Sequence, residues 1–345
     1  MTLYKLNITL YSLIFILSVC GNSLVIITLI RNKKMRTITN LFLVNLAISD
    51  LMLSVLCMPF SLVATTLLRN FIFGEAMCVI IRYFQAVSVG VSCYTLVAIS
   101  LERYYAICEP LRSRRWQTLS HARRMLIGIW ASVLTVMSPI AMFHRVIKIQ
   151  TGGQACREVW PEILLRFKID VMYSILLAVI LLLLPLLTMG SFYSLVAKKL
   201  WMVSTQMEAP SDTTSRERFI RQTPLLNERG ESTQSMTLDG NRTNHDPSSR
   251  KRVIRMLVVV VLQYFLCWAP LTLLNSWEAF DFRSVFYYIS PLTKSFILLL
   301  AYTSSCIHQI TYCFMSRSFR RGFQENVRCS KPLPTRHQSF TAIRW

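Results

Sequence analysis

The sequence predicts an all-α protein: a bundle of seven membrane-spanning helices followed by a short amphipathic eighth helix. Three observations carry that expectation. Seven long apolar stretches recur along the 345 residues. Basic side chains cluster between those stretches rather than spreading over one surface. Apolar residues make up 53% of the chain and charged residues only 16%, a balance far from that of soluble domains. A spanning helix needs roughly 20 mostly apolar residues to cross a hydrocarbon layer of about 30 Å.

The seven stretches run over 9–31, 39–67, 76–107, 122–144, 168–201, 252–278 and 285–314. The first is too long for a signal peptide and has no basic flank before it. It is followed by the basic stop Arg31-Asn32-Lys33-Lys34, so it reads as an anchor. Arg31, Lys33, Lys34 and Arg36 follow span one. Arg112, Arg114, Arg115, Arg123 and Arg124 lie between spans three and four. A long polar segment separates spans five and six, and Arg317, Arg320 and Arg321 follow span seven. These four regions fall on one side, which the excess of Lys and Arg marks as cytoplasmic. The odd span count then places the N-terminus outside, in a multi-pass protein of the plasma membrane.

The expected layout is an extracellular N-terminus over 1–8, a helix-bundle domain over 9–315, and an amphipathic helix with a cytoplasmic tail over 316–345. Segment 203–250, rich in Ser, Thr, Arg, Asn and Asp, cannot bury a core and reads as a disordered cytoplasmic loop. Asn7-Ile8-Thr9 is a glycosylation sequon on the expected outer side, close to the membrane. Asn241-Arg242-Thr243 falls in the cytoplasmic loop and reads as chance.

The net charge of +21 would point to nucleic acid only as a patch on a soluble fold, so no nucleic-acid partner is expected. The ten cysteines are no disulfide framework. Cys57, Cys93, Cys267 and Cys313 lie within apolar runs, where a thiol behaves as a small hydrophobe. No HExxH, GxSxG or phosphate loop occurs, and the histidines at 121, 144, 245, 308 and 337 are scattered. Neither an enzyme nor a cofactor-bearing protein is indicated. A transporter or channel would line a path with polar faces on several spans, and no internal repeat supports one.

Polar groups inside spans are costly and are functional candidates by default. Asn22 lies in span one, Asp50 in span two and Arg103 at the inner end of span three. Pro59, Pro139, Pro185 and Pro270 lie in spans two, four, five and six. Each proline removes a donor and frees a carbonyl.

Taken in order, these residues resemble the signature of rhodopsin-like G-protein-coupled receptors from about 9 to 329. The matching stretches are Gly21-Asn22-Ser23-Leu24-Val25, Leu46-Ala47-Ile48-Ser49-Asp50 and Glu102-Arg103-Tyr104. Trp130, Pro185 with Tyr193, and Phe265-Leu266-Cys267-Trp268-Ala269-Pro270 complete them. The resemblance implies roles for several residues. Arg103 is held by Glu102 in the inactive state and engages a heterotrimeric G protein when span six swings out. Trp268 with Pro270 senses the ligand, and Tyr193 and Tyr312 belong to the same switch. Cys78 pairs with Cys156 across an oxidising outer face. Leu111 inserts into the G protein, residues 317–323 form the amphipathic helix, and Cys329 is a palmitoylation candidate. Arrestin, receptor kinases and membrane lipid are further implied partners. Serines and threonines at 232–237 and 339–341 are candidate phosphorylation sites by composition alone.

Narrower stretches resemble cholecystokinin/gastrin receptors. Arg112-Ser113-Arg114-Arg115-Trp116-Gln117-Thr118-Leu119-Ser120-His121-Ala122, Ala301-Tyr302-Thr303-Ser304-Ser305-Cys306 and Arg320-Arg321-Gly322-Phe323 carry this. The resemblance implies an extracellular amidated peptide contacting Arg157, Asn275, Gln85 and Tyr302, with Arg157 taking a sulfate through its planar fork. Glu278 stands where that family has an arginine, which reverses the charge met by an acidic ligand. Arg82 and Arg283 are the cations available to compensate. Gln85 fits orexin-type and neuropeptide FF-type receptors instead, so a ligand of those amidated families stays open.

Span seven reads His308-Gln309-Ile310-Thr311-Tyr312, where the class has Asn-Pro, two residues, then Tyr. The tyrosine is kept and the proline is lost, which restores a backbone donor. A sodium ion held by Asp50, Ser92 and Ser305 is the one metal the resemblance implies, and the lost asparagine normally supports it. His308 is expected to face Asp50, either protonated in place of sodium or neutral and hydrogen-bonded. A peptide-binding decoy that does not signal is the closest rival reading. Tyr264 replaces a usual phenylalanine and brings a hydroxyl that needs a partner. A retinal receptor is excluded because Tyr302, not lysine, occupies the span-seven position, and Lys294 lies two turns too far out.

Overall fold

The computed structural model describes residues 2–31, 37–68, 70–116, 118–149, 152–208 and 247–315. Side-chain positions are described for all of these except 114–116, 203–208, 247–257, 260 and 308–315. Seven long helical segments dominate the described residues: α1 (Thr2–Arg31), α2 (Ile38–Leu67), α3 (Gly74–Cys108), α4 (Leu119–Phe143), α5 (Ile169–Met202), α6 (Pro247–Phe280) and α7 (Pro291–Met315). A two-stranded hairpin, β1 (His144–Lys148) and β2 (Gln154–Glu158), joins α4 to α5. The first five are long and apolar enough to cross a membrane by themselves. Helix α6 carries no charged residue from Met256 to Trp277, which also suffices.

Several helix starts follow from local chemistry. Thr37 caps α2 by accepting from the Asn40 amide at 3.2 Å, and Thr118 caps α4 by accepting from His121 at the same distance. Gly74 opens α3 at φ +78, a conformation that costs glycine nothing. Ser290 accepts from the Thr293 amide at 3.1 Å, with Pro291 at the first helical position of α7.

That last start corrects an expectation. The seventh stretch was expected to be continuous over 285–314. Instead Phe282–Tyr288 forms a separate short helix, bent by 100° from the one that begins at Pro291. Extended Ile289 and the following serine–proline pair end one helix and begin the next. Two other boundaries move. Helix α1 begins at Thr2 rather than 9, so the expected N-terminal segment 1–8 is mostly helical. The helix of span five continues to Glu208, and α6 begins at Pro247, so the ends of the 203–250 segment are helical.

Two proline breaks are repaired by neighbours. Pro139 frees the Thr135 carbonyl, which accepts from the Ser138 hydroxyl at 2.8 Å. Pro185 frees the Leu181 carbonyl, next to a π-helical turn over Val179–Leu183.

Burial has the sense expected for a bundle in hydrocarbon. Leu266 and Ile127 are about two-thirds exposed on the outside, while Asn22, Ser49, Ser54, Thr95 and Asp50 are buried between helices. Asn45 joins three helices. It accepts from Trp130 Nε1 at 2.8 Å and donates to Thr95 Oγ1 at 2.8 Å. At Gly90 the backbone of α3 comes close to α4, and a Cβ there would lie 2.7 Å from Val133 Cγ1. Gly90→Leu should therefore lower stability by about 1–3 kcal/mol, as overpacking does. Thermal unfolding of the purified protein checks this, and Gly90→Leu with Val133→Ala should recover part of the loss.

Candidate functional site

The bundle has two chemically distinct ends. One carries the hairpin and the start of α1; the other carries Arg31 at the end of α1, Arg103 and Arg112 at and after the end of α3, and Lys198 and Lys199 toward the end of α5. At the hairpin end, Cys78 near the start of α3 is disulfide-bonded to Cys156 on β2, the pair the resemblance implied. The hairpin pairs His144 with Glu158 and Arg145 with Arg157. It is held from below as well: Asn70 Oδ1 accepts from the Gln154 amide at 2.7 Å, and the Phe71 amide donates to the Gln154 carbonyl at 2.9 Å.

The strand therefore fixes Arg157, next to the disulfide, over the mouth of the bundle. Its guanidinium lies 4.6 Å from the Phe282 ring centroid, a cation–π contact. Arg145 is paired with Glu75 at 3.1 Å. Asn275 is exposed near the end of α6. Glu278, one turn further on, is bridged to Lys294 of α7 at 3.2 Å. Lys294 is the cation that answers the charge reversal at Glu278. The sequence reading looked instead to Arg82 and Arg283, and Arg283 is exposed. Gln85 is nearly buried in α3 and forms no hydrogen bond among the described residues.

Beneath the mouth lies a floor of aromatic side chains. Tyr302 is fully buried, its hydroxyl 2.8 Å from Ser61 Oγ and its ring edge-on to Tyr11 at 6.0 Å. In this conformation Tyr302 forms part of the wall and offers no exposed surface to a ligand. Trp268 donates from Nε1 to Ser304 Oγ at 3.0 Å, which ties α6 to α7. The hydroxyl of Tyr264 finds its partner in the Leu181 carbonyl at 3.4 Å. This is the acceptor freed by Pro185, and it is shared with Cys93 Sγ at 3.5 Å. A residue that looked like a departure thus joins α6 to the break in α5 and to α3.

Deeper still, Asn22 donates to the Ser305 carbonyl at 3.1 Å and to the Ser18 carbonyl at 2.9 Å. Ser18 and Ser54 share a 2.6 Å bond, as Ser49 and Ser92 do at 2.8 Å. Ser92 donates to Asp50 Oδ1 at 3.4 Å. Of the three oxygens expected around sodium, Asp50 and Ser92 are adjacent, and Ser305 Oγ donates to the Tyr302 carbonyl at 2.8 Å and lies 3.4 Å from Ser54. Asp50 and Ser92 are the groups that fit such an ion. Among the described residues no cluster of three His, Cys, Asp or Glu side chains suits a metal.

At the basic end, Glu102 Oε2 lies 3.3 Å from Arg103 Nε. Thr39 of α2 donates to Glu102 Oε1 at 2.9 Å and accepts from Arg103. Tyr193 of α5 shares a 2.7 Å bond with Ser100, and Leu111 projects with 86% of its surface exposed. The Thr39 clasp was not anticipated. The signal available was a threonine at the very start of the second span, at the end that also carries Glu102.

One expected site is overturned. Asn7 is fully buried within α1, its Oδ1 accepting from Thr66 and Ser295 at 3.1 Å each. A glycosylated asparagine must be exposed, so the Asn7 sequon is an interhelical contact. The side chains of His308, Gln309 and Tyr312, Cys329, the eighth helix, the 232–237 and 339–341 phosphorylation candidates and Asn241 lie outside the described residues.

A profile of the 7 transmembrane receptor (rhodopsin family) matches residues 21–312, and the chain belongs to that family of G-protein-coupled receptors, which are signalling proteins. It is 42% identical to the human cholecystokinin receptor type A over 94% of this chain and 80% of the relative. It is 40% identical to the Xenopus laevis cholecystokinin receptor over 94% of this chain and 78% of that protein. The rat gastrin/cholecystokinin type B receptor is 35% identical, over 96% of this chain and 80% of that protein. Within the class, it is a member of the cholecystokinin/gastrin receptor family and a multi-pass protein of the plasma membrane.

Two predictions follow from the geometry. Glu102→Gln removes the negative partner of Arg103 and should raise ligand-free nucleotide exchange on an added G protein roughly fivefold; an unchanged basal rate would mean the clasp carries no bias. His144 is buried, its Nδ1 2.8 Å from the Ile140 carbonyl. Burial, and then the charge of Arg82, lower its pKa from 6.5 to about 4. A depressed folded-state pKa means that the unfolded chain takes up the proton first as pH falls. Its contribution to stability is present above about 6.5 and is lost as pH drops toward about 4. The thermal midpoint should fall across that window, and His144→Gln should flatten the fall.

Proposed function

We propose that this receptor binds an extracellular amidated peptide of the cholecystokinin/gastrin type at its hairpin end and activates a heterotrimeric G protein at its basic end. The observation that carries the reading is the 42% identity to a cholecystokinin receptor across 94% of the chain. The placement of Arg157 beside the Cys78–Cys156 bond supports it. The basic end faces the cytoplasm, in keeping with the excess of Lys and Arg there, and the N-terminus lies outside.

The mechanism follows from what couples the two ends. The peptide enters over Arg157, Gln85 and Asn275, with Glu278 held neutral in effect by Lys294. Contact with the aromatic floor disturbs the Trp268–Ser304 bond between α6 and α7. Helix α6 pivots at Pro270, where the ladder lacks a donor, and swings from α3. Arg103 leaves the Glu102–Thr39 clasp for the G protein, with Leu111 beside it. The peptide drives this only as far as it binds the open state more tightly than the closed one. Arrestin and receptor kinases would read the same open state, and Cys329 would anchor the tail to lipid.

A second reading is favoured by one feature. His308 and Gln309 stand where the class has asparagine and proline, which supports a decoy that binds peptide without driving exchange. Gln85 likewise keeps an orexin-like or neuropeptide FF-like ligand as the alternative within signalling receptors.

Cells expressing the receptor should respond to sulfated cholecystokinin octapeptide amide with G-protein activation. Arg157→Ala should cost roughly tenfold or more in potency, with a smaller loss for the non-sulfated peptide. Binding without activation would establish the decoy. The absence of both would remove this peptide class.

A further inference from the structure

The hairpin meets the link between α6 and α7 at one point, and a ledge of aromatic rings begins there. Arg157 of β2 lies with Cζ 4.6 Å from the Phe282 ring centroid. Phe282 opens the short helix Phe282–Tyr288. Phe286 follows four residues later, so the two rings share one face of that helix. They are stacked, with centroids 6.4 Å apart and planes inclined by 25°. The result is a row: a guanidinium, a ring beneath it, and a second ring beside the first. Phe286 is 74% exposed, an apolar surface that gains by being covered. It is not needed to hold the helix. Val285 is fully buried and does that, and Asp281 caps the start by accepting from the Ser284 amide at 3.1 Å. The ledge belongs to the mouth, because its first ring touches the strand that lies over the mouth.

The charge beside the ledge is positive. Arg145 stands directly across the hairpin from Arg157, on the same face, and is paired with Glu75 at 3.1 Å. The carboxylates of this region are engaged elsewhere. Glu158 follows Arg157 in the strand, so it points to the opposite face, and it accepts from Trp160 Nε1 at 3.2 Å. Glu278 is bridged to Lys294, and Asp281 is the helix cap.

We propose that Phe282 and Phe286 form an aromatic subsite that seats the ring carrying the peptide's anionic group, with the anion itself on Arg157. This deepens the peptide reading and rests on it. Phe286 offers its open surface to the ring, in the offset or edge-on contacts that aromatic pairs favour. Phe282 is a positioning residue. Its face supports the guanidinium, whose N–H donors lie in the plane of the fork and stay available to two oxygens. An aliphatic anion would meet Arg157 alone, and a neutral ring would meet the ledge alone. An aryl sulfate meets both, so the ledge makes the receptor selective for an anion attached to a ring.

The test uses full-length receptor in four forms: unmodified, Phe286→Ala, Phe286→Tyr and Phe282→Leu. Three peptides serve as probes. They are sulfated cholecystokinin octapeptide amide, the same peptide with sulfated serine in place of its sulfated tyrosine, and the same peptide with phenylalanine there. Phe286→Ala should lose roughly tenfold in affinity for the two peptides that carry a ring at that position, and little for the sulfated-serine peptide. Phe286→Tyr keeps the ring and should keep the affinity. Phe282→Leu should weaken the sulfated-serine peptide, which Phe286→Ala spares, because Arg157 loses its support. Equal losses for the ringed and ringless peptides in Phe286→Ala overturn the proposal. No loss for any of them also overturns it, and leaves the bilayer as what covers Phe286. The thermal midpoint of ligand-free Phe286→Ala should match that of the unmodified receptor; a lower one would make the ring structural and overturn the proposal. If the unmodified receptor binds none of the three peptides, the peptide reading itself fails and the ledge fails with it. If it binds them and Phe286→Ala is indifferent to the ring, the ledge alone fails.

Discussion

Hydrocarbon offers no hydrogen bonds, and most of this structure answers that constraint. A polar group on a spanning helix must find its partner on another helix or within its own turn. Asn22 reaches the Ser305 carbonyl, Asn45 holds both Trp130 and Thr95, and Ser54 meets Ser18. These bonds join α1, α2, α3, α4 and α7 alongside the buried apolar side chains packed between the same helices. At two prolines that remove a donor, the freed carbonyl finds another: Ser138 serves Thr135, and Tyr264 with Cys93 serves Leu181. The same rule that builds the bundle therefore distributes its weak points.

Those weak points line up with function. Among the described residues, helix α6 is tied to its neighbours by a few separate polar contacts, Trp268 to Ser304, Glu278 to Lys294 and Tyr264 to Leu181, and it carries Pro270 within its length. Single hydrogen bonds of this kind are worth about 1 kcal/mol net, a cost that differential binding of a ligand readily meets. At the basic end, the clasp of Arg103 by Glu102 and Thr39 is partly open to water, so it biases the resting state without locking it. A receptor needs both properties. The resting arrangement has to be favoured, and the margin has to be small enough for a ligand to reverse.

How much of this was legible in the sequence depended on the kind of constraint. Spans one to six could be read because hydrocarbon crossing demands long apolar runs. The Glu102–Arg103 pair and the Cys78–Cys156 bond could be read because the motif order resembles a known family. The bend before Pro291 was missed because residues 285–288 carry no charge and run straight on into the apolar stretch, and the Ser290–Pro291 cap is what separates them. The Asn7 sequon misled because a three-residue pattern says nothing of burial, and Thr66 and Ser295 lie far away in the chain. Glu278 looked like an unanswered charge because Lys294 meets it across the turn between α6 and α7. Tyr264 looked like an anomaly until the carbonyl freed by Pro185 supplied its acceptor. Apart from that local cap, the deciding partners lay elsewhere in the chain, beyond what spacing can show.

The central claim is that events at the hairpin end open the basic end by moving α6 from α3. It is tested most directly by the distance between spin labels at the basic ends of those two helices, in purified receptor held in lipid nanodiscs. Saturating sulfated cholecystokinin octapeptide amide should shift the distribution to longer separations, and an added G protein should stabilise the longer population. Peptide that binds while the distribution stays unchanged, with or without G protein, would contradict the account.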